Sequence, residues 1–472
     1  MLNKTSLRIA CAMTPFLLLS SCSHAPLVKM NQKTGLPETA EISKDGDFEV
    51  IPVVGNFVAK RAKLPNGLRL IVLKDDSSPT FAYQTWFDVG SRNEVVGKTG
   101  LAHLFEHLMF KGTKNHKEGE FDALLEQAGV EGENAFTTND HTVYIQELPK
   151  SDDNLDLIMG LESDRMVNLL VNDQSFKTER EVVQNERRFR KENSPEGTMY
   201  QTLFETAFTT HPYHWPVIGY EQDLNIMSSQ DARDFYERYY SPDRATVVVV
   251  GDVNANDVLK KVKKYYGHIL AKNTPDGNIP VEPEQKAQRR RRLHLNIQVN
   301  KVWMAYKVPG ADSPDTPVFE LIQGLLTDGM NSRLNRALID SGIATDVSSG
   351  SFSLKDPGLF VIMTDLQKGK GTILAESVIQ RELDRLKNSL VRDDELNRAK
   401  NLIRFHFYER MSTASGKANF LGQYESVYGN FQAGIDLQRK IQEVTPEMVQ
   451  DVAKRYFVTR HLTVVVGTPK TH

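Results

Sequence analysis

Cysteine is almost absent from this 472-residue chain, with Cys11 and Cys22 the whole supply. Two cysteines cannot make a disulfide framework, so stability has to come from an apolar core. Net charge is nearly absent too: 58 Lys and Arg stand against 61 Asp and Glu, leaving −3. A chain without a strong global field is not built to hold nucleic acid or an acidic membrane face. The apolar run near the N-terminus, from Ile9 to about Ser21, is too short to cross a bilayer. Hydrophobic residues still make up 40% of the chain, enough for a large core spread over two to four domains.

Lys4 and Arg8 precede that apolar run, which is the pattern of an export signal. Its end, Leu19-Ser20-Ser21-Cys22, resembles the lipobox of bacterial lipoproteins. The likeness implies that Cys22 is acylated and becomes the first mature residue, while Cys11 leaves with the signal. Ser23, not Asp, follows, which by resemblance to Gram-negative lipoproteins points to the outer membrane, where several acyl chains together give durable anchoring. The alternative is an ordinary signal cleaved nearby, with Cys22 incidental.

The chain repeats itself. RYYSPDRATVVVVGDV, from Arg238, returns as RYFVTRHLTVVVGTP, from Arg455, 217 residues later, and Trp86 in YQTWFDVG answers Trp303 in KVWMAYKVPG at the same 217-residue offset. Each half opens with strand-like runs, such as LRLIVL (68–73), and closes with a helix and a Val-rich strand. Amphipathic stretches lie between them. The expected fold class is α+β, with two homologous domains, each a largely antiparallel sheet packed with helices. The expected organisation is a signal over 1–22, a tether over 23–60, a catalytic domain over 61–272, a linker over 273–292 and a homologous domain over 293–472. The four arginines Arg289 to Arg292 read as a solvated edge and not as a nucleic-acid patch.

The chemistry sits in GLAHLFEHLMFKGT, Gly100 to Thr113. His103 and His107 are four apart, one turn above each other on a helix, and can offer two imidazoles to one ion. Catalytic zinc takes three protein ligands and a water. Glu106 flanks the same face, positioned to take a proton from a water that the ion acidifies. This H-x-x-E-H order is a zinc-peptidase signature of the inverzincin type. Shifting by 217 places Glu320, Gln323 and Gly324 where the first half has His103, Glu106 and His107. The second half therefore keeps the helix and drops the ligands. For the third ligand the residues alone leave several candidates open: Glu126, Glu131, Glu133, Glu162, Glu179 and Glu186. SFKTEREVVQNERRFRKEN, Ser175 to Asn193, reads as a helix with Ser175 as N-cap and with Glu179, Val182, Val183 and Glu186 on one face.

These motifs, with ENAFTTNDHTVYIQELP (133–149) and EREVVQNE (179–186), resemble the pitrilysin family of zinc peptidases, in particular the branch that includes mitochondrial processing peptidase and its bacterial relatives. The resemblance runs from about Leu64 to Gly467 and includes the repeat. It implies one zinc per chain held by His103, His107 and Glu186, with Glu106 as general base and Glu179 orienting the site from behind. It also implies that NAFTTNDHTVYIQ is an exposed edge strand to which an extended peptide adds, its backbone held at Asn134 and Ala135. His141, in that segment, is expected to be a solvent-facing strand histidine and not a ligand.

One family feature is missing. Active members carry an Arg and a Tyr in a second-half segment that here reads SRLNRALIDSGIATDV; Arg333 remains, but Ile339 and Thr345 stand near the Arg and Tyr positions. A chain with one pair of repeats looks like half of a clamshell. The expected partners are therefore peptide substrates and a related non-catalytic subunit supplying the Arg/Tyr pair in a heterodimer, with a homodimer as the alternative. The expected function is zinc endopeptidase. The alternative from another class is a non-catalytic scaffold or assembly subunit that keeps the fold.

Overall fold

Val-rich and aromatic runs bounded by turn formers become strands, and the amphipathic stretches between them become helices laid on the sheets. The structure, a computed structural model, describes residues 31, 35–37, 42–352 and 354–470. The expected signal and Cys22 lie outside the described residues. Among the described residues the first sheet has eight strands: β1 (Ser43–Asp45), β2 (Phe48–Val54), β3 (Phe57–Lys63), β4 (Arg69–Lys74), β5 (Thr80–Phe87), β6 (Gly132–Thr137), β7 (Thr142–Pro149) and β8 (Ala245–Gly251), in the order β1-β2-β3-β4-β8-β5-β7-β6. The second has five: β9 (Arg289–Leu295), β10 (Lys301–Val308), β11 (Ala344–Ser351), β12 (Gly358–Leu366) and β13 (Leu462–Pro469), in the order β11-β12-β10-β13-β9.

The duplication is present strand for strand. The series β4-β8-β5-β7-β6 matches β9-β13-β10-β12-β11, with a parallel first pair and antiparallel pairs after it in both. The fold class is thus the α+β arrangement expected. The boundaries differ in two places. Residues 43–60, expected as tether, form β1, β2 and most of β3, which extend the first sheet beyond β4. Their alternation of buried and exposed residues is weak because both faces meet core, Phe48 in one cluster and Ile51, Val53 and Ala59 in the other. Arg289 to Arg292, expected within the linker, begin the edge strand β9, where the charged side chains blunt an open edge.

The halves are joined by an exchange of helices. Helix Pro195–Ala207, from the first half, packs Met199, Leu203 and Phe204 against Trp303, Val361 and Val465 of the second sheet. Helix Ala414–Tyr428, from the second half, packs Ala418, Phe420 and Leu421 against Trp86, Val143 and Val248 of the first. Gly422 allows that contact, since a Cβ there would lie 2.2 Å from the Trp86 ring. Lys417 of the same helix donates to Asp75 at the end of β4 across 2.8 Å, with both side chains buried. On its other face the first sheet carries the core into which helix Leu101–Leu108 sinks Leu104, Phe105 and Leu108.

Candidate metal centre

The helix Leu101–Leu108 is fixed at its start. Gly100 has φ 88°, and a Cβ there would stand 2.6 Å from the Ile218 carbonyl, so the position favours glycine. The Glu94 carboxylate accepts from the Gly100 and Ala102 amides at 2.9 and 2.8 Å, satisfying donors that a helix start leaves free. With Leu104, Phe105 and Leu108 locked into the core, His103 and His107 turn toward a second helix, Asp173–Arg187.

That second helix begins two residues earlier than Ser175. Asn172 is its N-cap, accepting from the Ser175 amide at 2.9 Å. The α-helix ends at Arg187 and passes into a π-helical turn, Arg188–Glu192. Val183 is buried and Val182 is exposed, so the inward face carries Glu179, Val183 and Glu186.

His103, His107 and Glu186 each present a ligand atom, all within 4.8 Å of one another, and they are the one such group among the described residues. Glu186 Oε2 is 3.4 Å from His107 Nε2 and 3.7 Å from His103 Nε2. Two ligands about 2.0–2.1 Å from one ion at a tetrahedral angle stand about 3.3–3.4 Å apart, so this donor set suits zinc in both chemistry and spacing. Behind it, Glu179 Oε2 lies 3.3 Å from His107 Nδ1, which directs His107 Nε2 toward Glu186, and Lys111 holds the other Glu179 oxygen at 2.8 Å. Arg190 holds Glu186 Oε1 at 2.9 Å and leaves Oε2 to the histidines. Thr137, at the end of β6, donates to Glu106.

The protonation pattern follows from these contacts. Burial, with the neighbouring His107 charge, pushes His103 down to about 4. Burial also pulls on His107, but its hydrogen bonds to Glu179 and Glu186 outweigh it and raise the group to about 9. Both His107 nitrogens thus face carboxylates, Nδ1 that of Glu179 and Nε2 that of Glu186. Glu106 is raised by burial against the opposing Thr137 hydrogen bond. Glu186 is held low, chiefly by its hydrogen bond to His107.

The fold therefore brings together His103, Glu106, His107, Glu179 and Glu186. Asn134 and Ala135 lie on β6, which among the described residues pairs with β7 alone and is an open edge beside this cluster. His141 corrects the expectation of a solvent-facing residue. It is 6% exposed, its ring lies tilted at 51° with its centre 5.0 Å from that of Trp86, and burial drives its pKa down to about 3. The loop joining β6 to β7 turns it onto the face covered by helix Ala414–Tyr428. In the second half, Glu320, Gln323 and Gly324 sit on the equivalent helix, Thr316–Leu326, which contributes to no metal-ligand group among the described residues. Arg333 is held by both oxygens of Glu395, at 2.6 and 2.9 Å. Thr137, Lys111 and Arg190 were not singled out by sequence. Only for Thr137 was there a signal, the two-residue alternation that puts it on one strand face with Ala135.

Two family models match the chain: "Insulinase (Peptidase family M16)" over residues 70–220 and "Peptidase M16 inactive domain" over 227–403. Zinc protease PqqE of Helicobacter pylori is 33% identical over 417 residues, covering 86% of this chain and 92% of that protein. A crystal structure of a protease from Helicobacter pylori superposes with TM-score 0.81 and 31% identity, over 87% of this chain and 99% of that one. The periplasmic protease PqqL from Escherichia coli matches in fold, with TM-score 0.74 and 18% identity, over 89% of this chain but 48% of its own.

Proposed function

From the premise that the chain belongs to peptidase family M16, we propose that it is a zinc-dependent endopeptidase acting on extended peptides or small unfolded polypeptides. One observation carries the reading: two histidines and Glu186 converge at zinc-ligand spacing beside Glu106, on the helix next to an open strand edge. The insulinase match, 70–220, contains all of these residues, and the inactive-domain match, 227–403, contains none of them. A domain inactive by itself is what the loss of the ligand set at Glu320, Gln323 and Gly324 leads one to expect.

His103, His107 and Glu186 would hold zinc, which supplies Lewis acidity to a water and to the scissile carbonyl when bound. Glu106 takes the proton of the attacking water and returns it to the departing amine. Burial raises its pKa and so strengthens it as a base, while Thr137 holds the carboxylate in one orientation. The edge of β6, at Asn134 and Ala135, aligns the substrate backbone by strand addition. Glu179 and Lys111 keep His107 in the right tautomer.

The same reading makes the chain half of a paired enclosure. It spans about half the length of PqqL, and Arg333 is engaged by Glu395 and not free for substrate. A related subunit carrying the missing Arg and Tyr would complete the chamber. The proposed location is the periplasmic face of the outer membrane, through lipid on Cys22.

The test is cleavage of a mixed pool of unfolded peptides by the chain from Ser23 onward, with zinc content measured on the same sample. Chelator-sensitive cleavage that Glu106→Gln abolishes, with zinc retained, is the expected result. Cleavage unaffected by Glu106→Gln would refute the assignment. Zinc without cleavage would require the partner subunit to be added before the same comparison.

A further inference from the structure

Alternate residues of a strand share a face, so Glu133, Ala135 and Thr137 of β6 point the same way. Thr137 holds Glu106, and Ala135 packs on the core beneath the motif helix. Glu133 therefore lies on the metal-centre side of the open edge, four residues and about 13 Å from Thr137 at about 3.3 Å per residue.

Its surroundings are short of positive charge. Helix Glu120–Gln127 contributes Asp122, helix Asp152–Asn168 contributes Glu162 and Arg165, and Gln146 is the cross-strand partner on β7. Arg165 is the cation that acts on Glu133 here, and its guanidinium is already engaged by Glu162. It donates twice to Glu162 and lies among the rings of Phe110, Phe121 and Tyr144. Glu133 Oε1 is buried and has no hydrogen-bond partner among the described residues; burial lifts the carboxyl to about 7 even though the cross-strand Gln146 side chain hydrogen-bonds it and opposes the shift. Leaving such an oxygen unpaired is unfavourable, and more so for a charged group. The strand that carries it has no neighbour on its other side among the described residues.

We propose that Glu133 is a specificity-determining residue that receives a lysine or arginine side chain of an extended peptide paired with β6. Opposite residues in a strand pair have Cβ atoms about 4.5–5.5 Å apart, well within reach of a long basic side chain, whose cation would take up the free oxygen. The inference rests on the peptide-adding edge of the proposed function. A water molecule shared by Glu133 Oε1, Gln146 Oε1 and Arg165 Nη1, three atoms without hydrogen-bond partners among the described residues, is the competing occupant.

Binding separates these without requiring turnover. The zinc-loaded full chain carrying Glu106→Gln is titrated with fluorescent ten-residue peptides that differ only in bearing lysine, norleucine or glutamate at each position in turn. At one position lysine should bind about tenfold more tightly than norleucine, the scale of one charge-assisted hydrogen bond. Adding Glu133→Gln should bring that ratio to about one, and Glu133→Lys should move the preference to glutamate. A ratio near one at every position in the parent overturns the inference in favour of the water. A lysine preference that survives Glu133→Gln overturns it in favour of another site. If the preference is present but the enzyme with Glu106 intact, with and without a partner subunit, cleaves nothing, the basic subsite stands and the peptidase reading falls. If no peptide binds with or without the partner subunit, both fall.

Discussion

Replacing Lys417 by Met tests whether the two halves are held by a buried charge pair. Lys417 Nζ and Asp75 Oδ2 are 2.8 Å apart, with side chains 2% and 3% exposed, and the ammonium lies 4.4 Å from the centre of the Phe57 ring. Methionine keeps the apolar stem and removes the charge. Asp75 is then left with the Ser77 amide, at 3.1 Å, as its remaining hydrogen-bond donor among the described residues. Breaking a buried pair from one side costs about 3–5 kcal/mol, a large part of a domain's usual 5–15. The pH dependence has a definite sign. In the native chain burial raises Asp75, but the hydrogen bonds from Lys417 and Ser77 outweigh it and hold the group below its ordinary 3.8. Its stabilisation is therefore complete above 3.8 and is lost as pH falls through the lower folded value. In the variant burial acts with little opposition, the folded pKa rises above 3.8, and stability improves as pH falls through that raised value. Denaturant unfolding at pH 7 and pH 5 should show a deficit against the parent that is smaller at pH 5. Lys417→Met combined with Asp75→Asn should recover most of it. A deficit under about 1 kcal/mol, or one equal at both pH values, would refute the argument.

Glu179→Gln should weaken zinc binding about 10–100-fold in competition with a chromophoric chelator, because His107 loses the group that orients it; unchanged affinity would remove Glu179 from the site. Arg190→Gln sets two effects against each other. Loss of a guanidinium beside a cation site strengthens zinc binding if charge dominates, and loss of the hold on Glu186 weakens it if orientation dominates. The expected outcome is a two- to fivefold weakening, the range of a largely exposed ion pair worth about 0.2–1 kcal/mol, and tighter binding would refute it. Gly422→Ala forces a methyl against the Trp86 ring, which is itself held by Gln84 at 2.9 Å. It should lower unfolding stability by about 1–3 kcal/mol, and a parent-like thermal midpoint would show that the helix can slide.

Much of the site was legible because its logic is local. His103, Glu106 and His107 lie within two turns of one helix, and helical spacing alone puts the imidazoles together. Glu186 is 79 residues beyond His107, and periodicity left it one of several acidic candidates until the family resemblance chose among them. The packing of helix Asp173–Arg187 on helix Leu101–Leu108 then placed its carboxylate between the histidines. His141 went the other way. A polar residue in a polar stretch reads as exposed, and nothing nearby in sequence announces the helix of the other half that covers it.

The sequence by itself determined the two halves and their strands and helices, because a 217-residue repeat and apolar periodicity are written along the chain. It also marked one half as bearing a metal motif and the other as lacking it. Only the tertiary structure decided that residues 43–60 join the first sheet, that each half lends a helix to the other's sheet, and that one Glu133 oxygen is left without a partner among the described residues on an open edge. These depend on which surfaces meet and which charges remain without partners, relations between residues tens or hundreds of positions apart that no local pattern carries.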